Sequence, residues 1–401
     1  MVTAWKSRYR RNALAPAVPV EEEPVSGIRL IHGGKEYFDL LRLLISTARE
    51  SIYLQVYIFS DDETGRGIAD LLLQAAQRNV KVYLLVDGYA SQDLPDAFIT
   101  RLKSGGVSIR LFEPVWRSKY FYVGRRLHHK VVVVDNRYSL VSGINISNRY
   151  NDVQDIPAWL DWAVYAEGKV AAQLSHVCRK RVLPSTLRSM QKDATDRYYD
   201  SQVEGLVTVR INDWVRRKRE ITNSYLSMFR HAGSRIIIMS PYFLPGRYFR
   251  KSMKRAAQRG VCIQLILAGP SDVMLSKYAE RYMYRWLFRN NIEIYEYQKN
   301  ILHGKMAVFD SQWATAGSYN VNNISAYASI ELNLVIRDPG FVHMAEQELT
   351  GIIANDCVRI TEEIYNRRTT LWTRFLQRSA YDIFRLLFFI FTFYFRQRES
   401  G

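Results

Sequence analysis

The stretch Leu302–Asn320, LHGKMAVFDSQWATAGSYN, decides how this chain is read. His303 is followed after one residue by Lys305, after four more by Asp310, and after six more by Gly317-Ser318-Tyr319-Asn320. Leu127–Asn145, LHHKVVVVDNRYSLVSGIN, repeats the spacing with His128, Lys130, Asp135 and Ser142-Gly143-Ile144-Asn145. One pattern met twice in a chain of 401 residues marks an internal duplication.

Val131–Val134 and Met306–Phe309 are apolar runs of strand length, the pattern of strands buried on both faces. Residues two apart on a strand share a face, so His128 points with Lys130 and His303 with Lys305. His129 points the other way and is expected to pack or to make a supporting contact. A Gly-containing turn then brings Asn145 or Asn320 back beside the strand end. Lys and Asn neutralise and hydrogen-bond the non-bridging oxygens of a phosphodiester. A neutral His attacks phosphorus, and a protonated one gives its proton to the leaving oxygen. The duplication supplies one His for each task. The scheme calls for no metal and no other cofactor: Lys is not a metal ligand, and the His spacings match no zinc pattern.

The duplicated His-x-Lys-x-x-x-x-Asp with its following Asn resembles the signature of the phospholipase D superfamily, over roughly Ile28 to Asp338. The resemblance implies two tandem pseudo-symmetric α/β units, each a mainly buried β-sheet flanked by helices, sharing one active site at their interface. It makes His128, Lys130, Asp135, His303, Lys305 and Asp310 the catalytic signature, with the two Asp mainly structural. It makes Asn145, Asn320 and Ser318 phosphate-binding, one His a transient phosphohistidine and the other the acid/base. His128 is expected as the nucleophile. Asp161 follows the first motif and Glu331 the second. An acid bonded to the far nitrogen of a catalytic His fixes its tautomer and raises its basicity, and family members carry acids at about these places.

Lys+Arg 56 against Asp+Glu 39 gives a net charge of +17, which favours anionic partners, nucleic acid or acidic lipid. The aromatic and basic residues form no recognisable base-stacking module, which argues against nucleic acid. Three separated cysteines outside any metal spacing point to a reducing compartment. Residues 1–26 begin basic and continue through an Ala/Pro/Val/Glu segment that reads as a tether. No apolar run is long enough for a spanning helix.

The order strand, helix, strand, motif, strand occurs twice. Ser51–Phe59, Val80–Val86, Arg235–Phe243, Val261–Ala268, Ile292–Tyr297 and Ser329–Ile336 read as strands. Tyr37–Ala48, Gly67–Arg78, Ile221–Ala232, Arg247–Arg259 and Tyr278–Arg289 read as helices. The expected division is a unit at 27–182, a polar linker at 183–205, a second unit at 206–360 and a tail at 361–401. In that tail Ile383–Phe395 is apolar but too short to span a bilayer and is broken by Arg385. On one helix Arg367, Arg374, Arg378, Arg385 and Arg396 would form a stripe beside Trp372, Phe375, Ile383 and Leu386, the pattern of an in-plane membrane anchor.

Ser240-Pro241-Tyr242-Phe243-Leu244-Pro245, Gly269-Pro270-Ser271-Asp272, Ile294–Gln298 and Asp87-Gly88 are similar to segments of bacterial cardiolipin synthases. Those enzymes usually have Ser where Gly304 stands. This narrower resemblance implies transfer of a phosphatidyl group from phosphatidylglycerol to a second phosphatidylglycerol, giving cardiolipin and glycerol at the cytoplasmic face of a bacterial inner membrane. A lipid hydrolase, or a phosphodiesterase acting on nucleic acid, is the alternative within the superfamily.

Overall fold

The computed structural model describes residues 27–114, 125–182, 206–322, 325–326 and 329–397, with side chains as far as Leu386. The N-terminal tether and the 183–205 linker expected from the sequence lie outside the described residues, as does the side chain of Arg396.

The first half runs β1 (Arg29–His32), α1 (Lys35–Thr47), β2 (Ser51–Val56), α2 (Glu63–Gln77), β3 (Lys81–Asp87), α3 (Asp96–Ser104) and β4 (Ser108–Phe112). It continues through β5 (Arg126–Leu127), β6 (Lys130–Val134), β7 (Tyr138–Ser142), β8 (Trp162–Glu167) and α4 (Lys169–Val182). Seven strands form one sheet in the order β1-β8-β7-β6-β2-β3-β4. Every residue of β2 and β6 is buried, as their unbroken apolar runs require.

The second half runs β9 (Val207–Asp213), β10 (Lys218–Arg219), α5 (Glu220–His231), β11 (Arg235–Met239), α6 (Arg247–Gln258), β12 (Cys262–Ala268) and α7 (Met274–Phe288). Then come β13 (Glu293–Tyr297), β14 (Met306–Phe309), β15 (Trp313–Gly317), β16 (Ser329–Ile336), α8 (Pro339–Asn355), β17 (Cys357–Ile360), α9 (Glu362–Arg368) and α10 (Leu371–Gln397). Its sheet is ordered β10-β9-β16-β15-β14-β11-β12-β13-β17, so the run from β9 to β13 repeats the order of the first sheet.

The two sheets share a core. Val131, Val133 and Val164 of the first belong to one buried cluster with Ile237, Val308 and Leu332 of the second. The apolar faces of α4 (Val170, Leu174, Cys178) and α8 (Phe341, Ala345, Leu349) complete it. The opposite face of each sheet is covered by the unit's own helices. The result is the expected pair of α/β units facing each other.

Two short exchanges stitch the halves together. β5, from the first half, pairs in parallel with β16 of the second sheet, Arg126 opposite Ser329 and Leu127 opposite Ile330. Reciprocally, Leu160 bridges Leu302, and the amides of His303 and Gly304 both donate to Leu160 O at 2.8 Å. Each motif therefore enters its own sheet from a backbone pairing with the other half.

The C-terminal segment departs from the single-helix expectation. α9 ends at Arg368 and α10 starts at Leu371, with Thr369 buried between them. Arg367 thus sits on a different helix from Arg374, Arg378 and Arg385. α10 lies along α7, with the rings of Tyr381 and Tyr282 4.8 Å apart. Among the described residues no helix is long and apolar enough to cross a membrane.

Candidate active site

The two exchanges decide which acid meets which histidine. His128 N donates to Ile330 O at 3.0 Å, which sets His128 beside the next residue, Glu331. His128 Nδ1 lies 3.0 Å from Glu331 Oε2. The bond from His303 N to Leu160 O does the same for Asp161, whose Oδ2 is 2.6 Å from His303 Nδ1. The acids are crossed: each histidine is held by the carboxylate of the other half. Both carboxylates are buried, so each Nδ1 keeps its proton on the acid side and each Nε2 is left for chemistry.

Asp87 supports the first entry. Its Oδ2 accepts from Leu127 N at 2.8 Å and its Oδ1 from the amides of Tyr89 and Ala90, which fixes the approach to His128. Close packing fixes the second. A Cβ on Gly304 would come within 2.7 Å of the Trp162 ring, so this chain has no room for the Ser expected there. A Cβ on Gly143 would come within 2.4 Å of Asp161 Oδ2, so the turn residue is Gly because the carboxylate occupies that space.

Lys130 and Lys305 are buried on the faces their spacing predicted. Lys130 Nζ donates to His128 O at 2.6 Å, and Lys305 Nζ lies 3.0 Å from His303 Nδ1. Burial pulls the Lys130 ammonium down to about 7, with the charge of Lys305 adding to the effect. Burial pulls Lys305 down to about 8, partly opposed by Asp161. Burial and then Lys305 pull His303 down to about 3, against the pull of Asp161. Burial also lowers His128, but Glu331 opposes it. Burial would raise Asp161, yet Lys305 and His303 hold it below the usual carboxylate range.

The remaining signature residues divide. Asn145 is buried at the site and its Oδ1 accepts from Ile58 N at 3.0 Å. Asn320 is buried with its Oδ1 unpartnered. Ser318 was expected to bind phosphate. Its hydroxyl instead donates to Glu331 Oε2 at 2.5 Å, so it steadies the carboxylate that holds His128. Asp135 and Asp310 stand apart from the chemistry and in equivalent turns, with φ of 52 and 51. Asp135 accepts from the amides of Arg49, Glu50 and Ser51, and Asp310 from those of Gly233, Ser234 and Arg235. These bonds tie the motif strand to its neighbour, in keeping with the mainly structural part expected of the two Asp. His129 is buried with Nε2 2.8 Å from Gln55 Oε1, a packing role as expected.

Aromatic walls were not anticipated from the sequence. Tyr57 packs on His128 with ring centroids 4.8 Å apart, and Tyr150 on His303 at 5.0 Å with its hydroxyl 3.5 Å from Nε2. Tyr242 and Asp272, from two segments singled out above, meet at 2.6 Å. Among the described residues no group of His, Cys, Asp and Glu is placed to hold a metal ion.

The chain is similar to known proteins. The family model described as "Cardiolipin synthase, PLD-like domain" matches residues 41–157 and 225–353. Cardiolipin synthase B of Salmonella typhimurium is 35% identical over 349 residues, 85% of this chain and 84% of that protein. Cardiolipin synthase B of Escherichia coli K12 is 33% identical over 351 residues, again 85% and 84%. Among solved structures, phosphatidylserine synthase of Haemophilus influenzae superposes with a TM-score of 0.69 over 90% of this chain and 93% of that one. At 16% identity, that likeness speaks for the fold alone. The chain belongs to the cardiolipin synthase family of phospholipase D-like proteins.

Proposed function

We propose that the protein is a phosphatidyltransferase that joins two phosphatidylglycerol molecules into cardiolipin and releases glycerol through a phosphohistidine. The observation that carries this is the crossed pair of acid-held histidines, two Nε2 atoms presented to one site that also holds two lysines and two asparagines. In the empty site burial and the charge of Lys305 hold Lys130 at about 7, and burial holds Lys305 at about 8. An entering phosphodiester adds one negative charge, which favours protonation of the lysines and of one imidazole. Substrate binding thereby arms the general acid.

The difference between the two environments supports one order for the pair. His303 is the more buried, 7% exposed against 17% for His128, and the more firmly neutral. Its Nε2 lone pair attacks phosphorus, the bond from phosphorus to the glycerol headgroup breaks, and His128 gives its proton to the departing glycerol oxygen. His128, on the more open side, then takes the proton of the acceptor hydroxyl. That oxygen attacks phosphorus, the phosphorus–nitrogen bond breaks, and cardiolipin leaves. This order reverses the one implied by resemblance. Lys130, Lys305, Asn145 and Asn320 hold the non-bridging oxygens throughout.

The same reading divides the chain into a tether at 1–26, units at 27–182 and 206–360 around a linker at 183–205, and a lipid-binding tail at 361–401. It makes the protein peripheral to the cytoplasmic face of a bacterial inner membrane. Leu371, Trp372, Phe375, Ile383 and Leu386 on α10 are exposed, with Arg374, Arg378 and Arg385 alongside. Removing α10 would strip its buried Gln377 from Tyr365 of α9 and uncover the α7 face that α10 lies along. The sounder perturbation is Trp372→Glu with Phe375→Glu, which leaves the packed face intact and abolishes flotation with phosphatidylglycerol vesicles.

Purified protein given phosphatidylglycerol in EDTA forms cardiolipin and glycerol in equal amounts. Phosphatidic acid as the sole lipid product would mean that water is the acceptor and would overturn the transferase reading. Loss of activity in EDTA would overturn the metal-free mechanism.

A further inference from the structure

A second basic pocket opens at the seam between the halves. Arg110 comes from β4, Arg125 from the entry to β5, Lys180 and Arg181 from the last turn of α4, and Arg216 from the turn after β9. The cavity is about 160 Å³ in volume, the scale of a headgroup anion rather than a whole lipid. Phe112 and Glu113 form the rest of its lining, and the Arg125 guanidinium lies 5.6 Å from the Phe112 ring centroid.

Among the described residues its charges do not cancel. Arg125 uses Glu113 at 3.1 Å and Asp213 at 3.0 Å, and Arg216 reaches Asp213 only at 3.9 Å. Among the described residues, no carboxylate pairs with Arg110, Lys180 or Arg181. Arg110 donates to Arg181 O at 3.0 Å, so it satisfies the end of α4 and not an acid. The negative end of the α4 dipole offsets about half a charge. Counting the described residues, five cations then face two carboxylates and that half charge. The Nε of Arg181 is buried with no hydrogen-bond partner. Burial pulls this guanidinium down to about 10, against the attraction of Asp213. A buried guanidinium N–H without an acceptor is costly and calls for an anion.

We propose that this seam pocket is a second phosphate-group site, separate from the catalytic centre, in which Arg181 and Lys180 bind the anion and Arg125 and Arg216 frame it. Its ligand is a phosphate monoester or diester: guanidinium forks match phosphate oxygens, and a headgroup of that size fits the cavity. The place has a consequence for catalysis. Arg125 leads directly into β5, and Asp213 stands opposite Ile330, the residue before Glu331. An anion here pulls on both strands that bring His128 to its acid.

The test is a crystal of the full chain soaked in tungstate, a tetrahedral dianion with a strong anomalous signal. Two peaks are expected, one between His128 and His303 and one against Arg181. The seam peak vanishes in Lys180→Gln and Arg181→Gln while the catalytic peak stays. Lys180 is exposed, so Lys180→Gln reports on binding even if Arg181→Gln fails to fold. In solution, equilibrium dialysis of radioactive orthophosphate gives two sites per chain, and the seam site weakens at least about tenfold in Lys180→Gln. Displacement of the seam peak by dihexanoyl phosphatidylglycerol assigns it to a lipid headgroup; displacement by orthophosphate alone assigns it to free phosphate. A catalytic peak with an empty seam in the parent protein would overturn the proposal. Neither measurement requires turnover, so the outcome stands whichever acceptor the enzyme uses.

Discussion

Replacing Glu331 by Gln separates the two histidines. The change is nearly isosteric at a fully buried position, so packing is preserved while the charge facing His128 Nδ1 is lost. A hydrogen bond to a charged group contributes about 1.5–3 kcal/mol, or about 10- to 150-fold in rate if it matters only in the transition state. The new amide has two orientations. Its carbonyl keeps the proton on Nδ1; its NH2 forces the other tautomer, for which losses of about 10⁴-fold are known. Ser318 bonds the same oxygen at 2.5 Å and adapts to either, so the loss falls between those limits. The assay compares phosphatidylglycerol with phosphatidyl-p-nitrophenol, whose leaving group needs no proton. With phosphatidylglycerol, Glu331→Gln slows cardiolipin formation at least tenfold. With phosphatidyl-p-nitrophenol, rapid quench still shows a burst of nitrophenolate and a phosphatidyl group on His303. Asp161→Asn, which disturbs the nucleophile, loses the burst. If Glu331→Gln abolishes the burst and Asp161→Asn retains it, the assigned order is wrong. If the phosphohistidine is found at His128, the argument from burial fails with it.

Gly143→Ala pushes a methyl group against Asp161 and lowers kcat at least about a hundredfold, whereas Gly67→Ala, with open space around it, leaves activity unchanged. Asp135→Ala removes three backbone hydrogen bonds, two of them exposed, and lowers unfolding free energy by about 1–3 kcal/mol in denaturant titration, with kcat per folded molecule largely retained. Burial lowers His129 well below 6.5 and His303 to about 3. Below pH 6.5 the unfolded chain takes up these protons and the folded one does not. Stability is therefore full above 6.5 and falls as pH drops toward 3. His129→Gln flattens that slope in thermal unfolding.

The repeated motif exposed the fold because its strands are unbroken apolar runs with a readable period. The central strands β2, β6 and β14 and the face shared by His and Lys were legible for that reason. β5 was not, since two residues carry no periodicity, and its partner strand lies some two hundred positions away. The same distance hid the crossing: His128 and Glu331 are 203 positions apart, His303 and Asp161 are 142. The acids were found as residues but not as partners. β1, α3, α4, β9 and α8 went unread; α4 in particular mixes its apolar stripe with a basic end. The break before α10 was hidden because Thr369 and Thr370 interrupt no hydropathy pattern. Tyr57 and Tyr150 gave no signal in the sequence, because an aromatic residue beside a strand usually marks packing.

The crossed carboxylates also act as a check on assembly. Neither half holds a complete catalytic pair, since each contributes a histidine whose acid belongs to the other. A chain folded only through its first half presents His128 without Glu331 and Asp161 without His303. On the proposed mechanism such an intermediate, or a proteolytic fragment, carries one copy of the motif but is harmless to lipid. Phosphatidyl transfer would then begin only when both halves have docked.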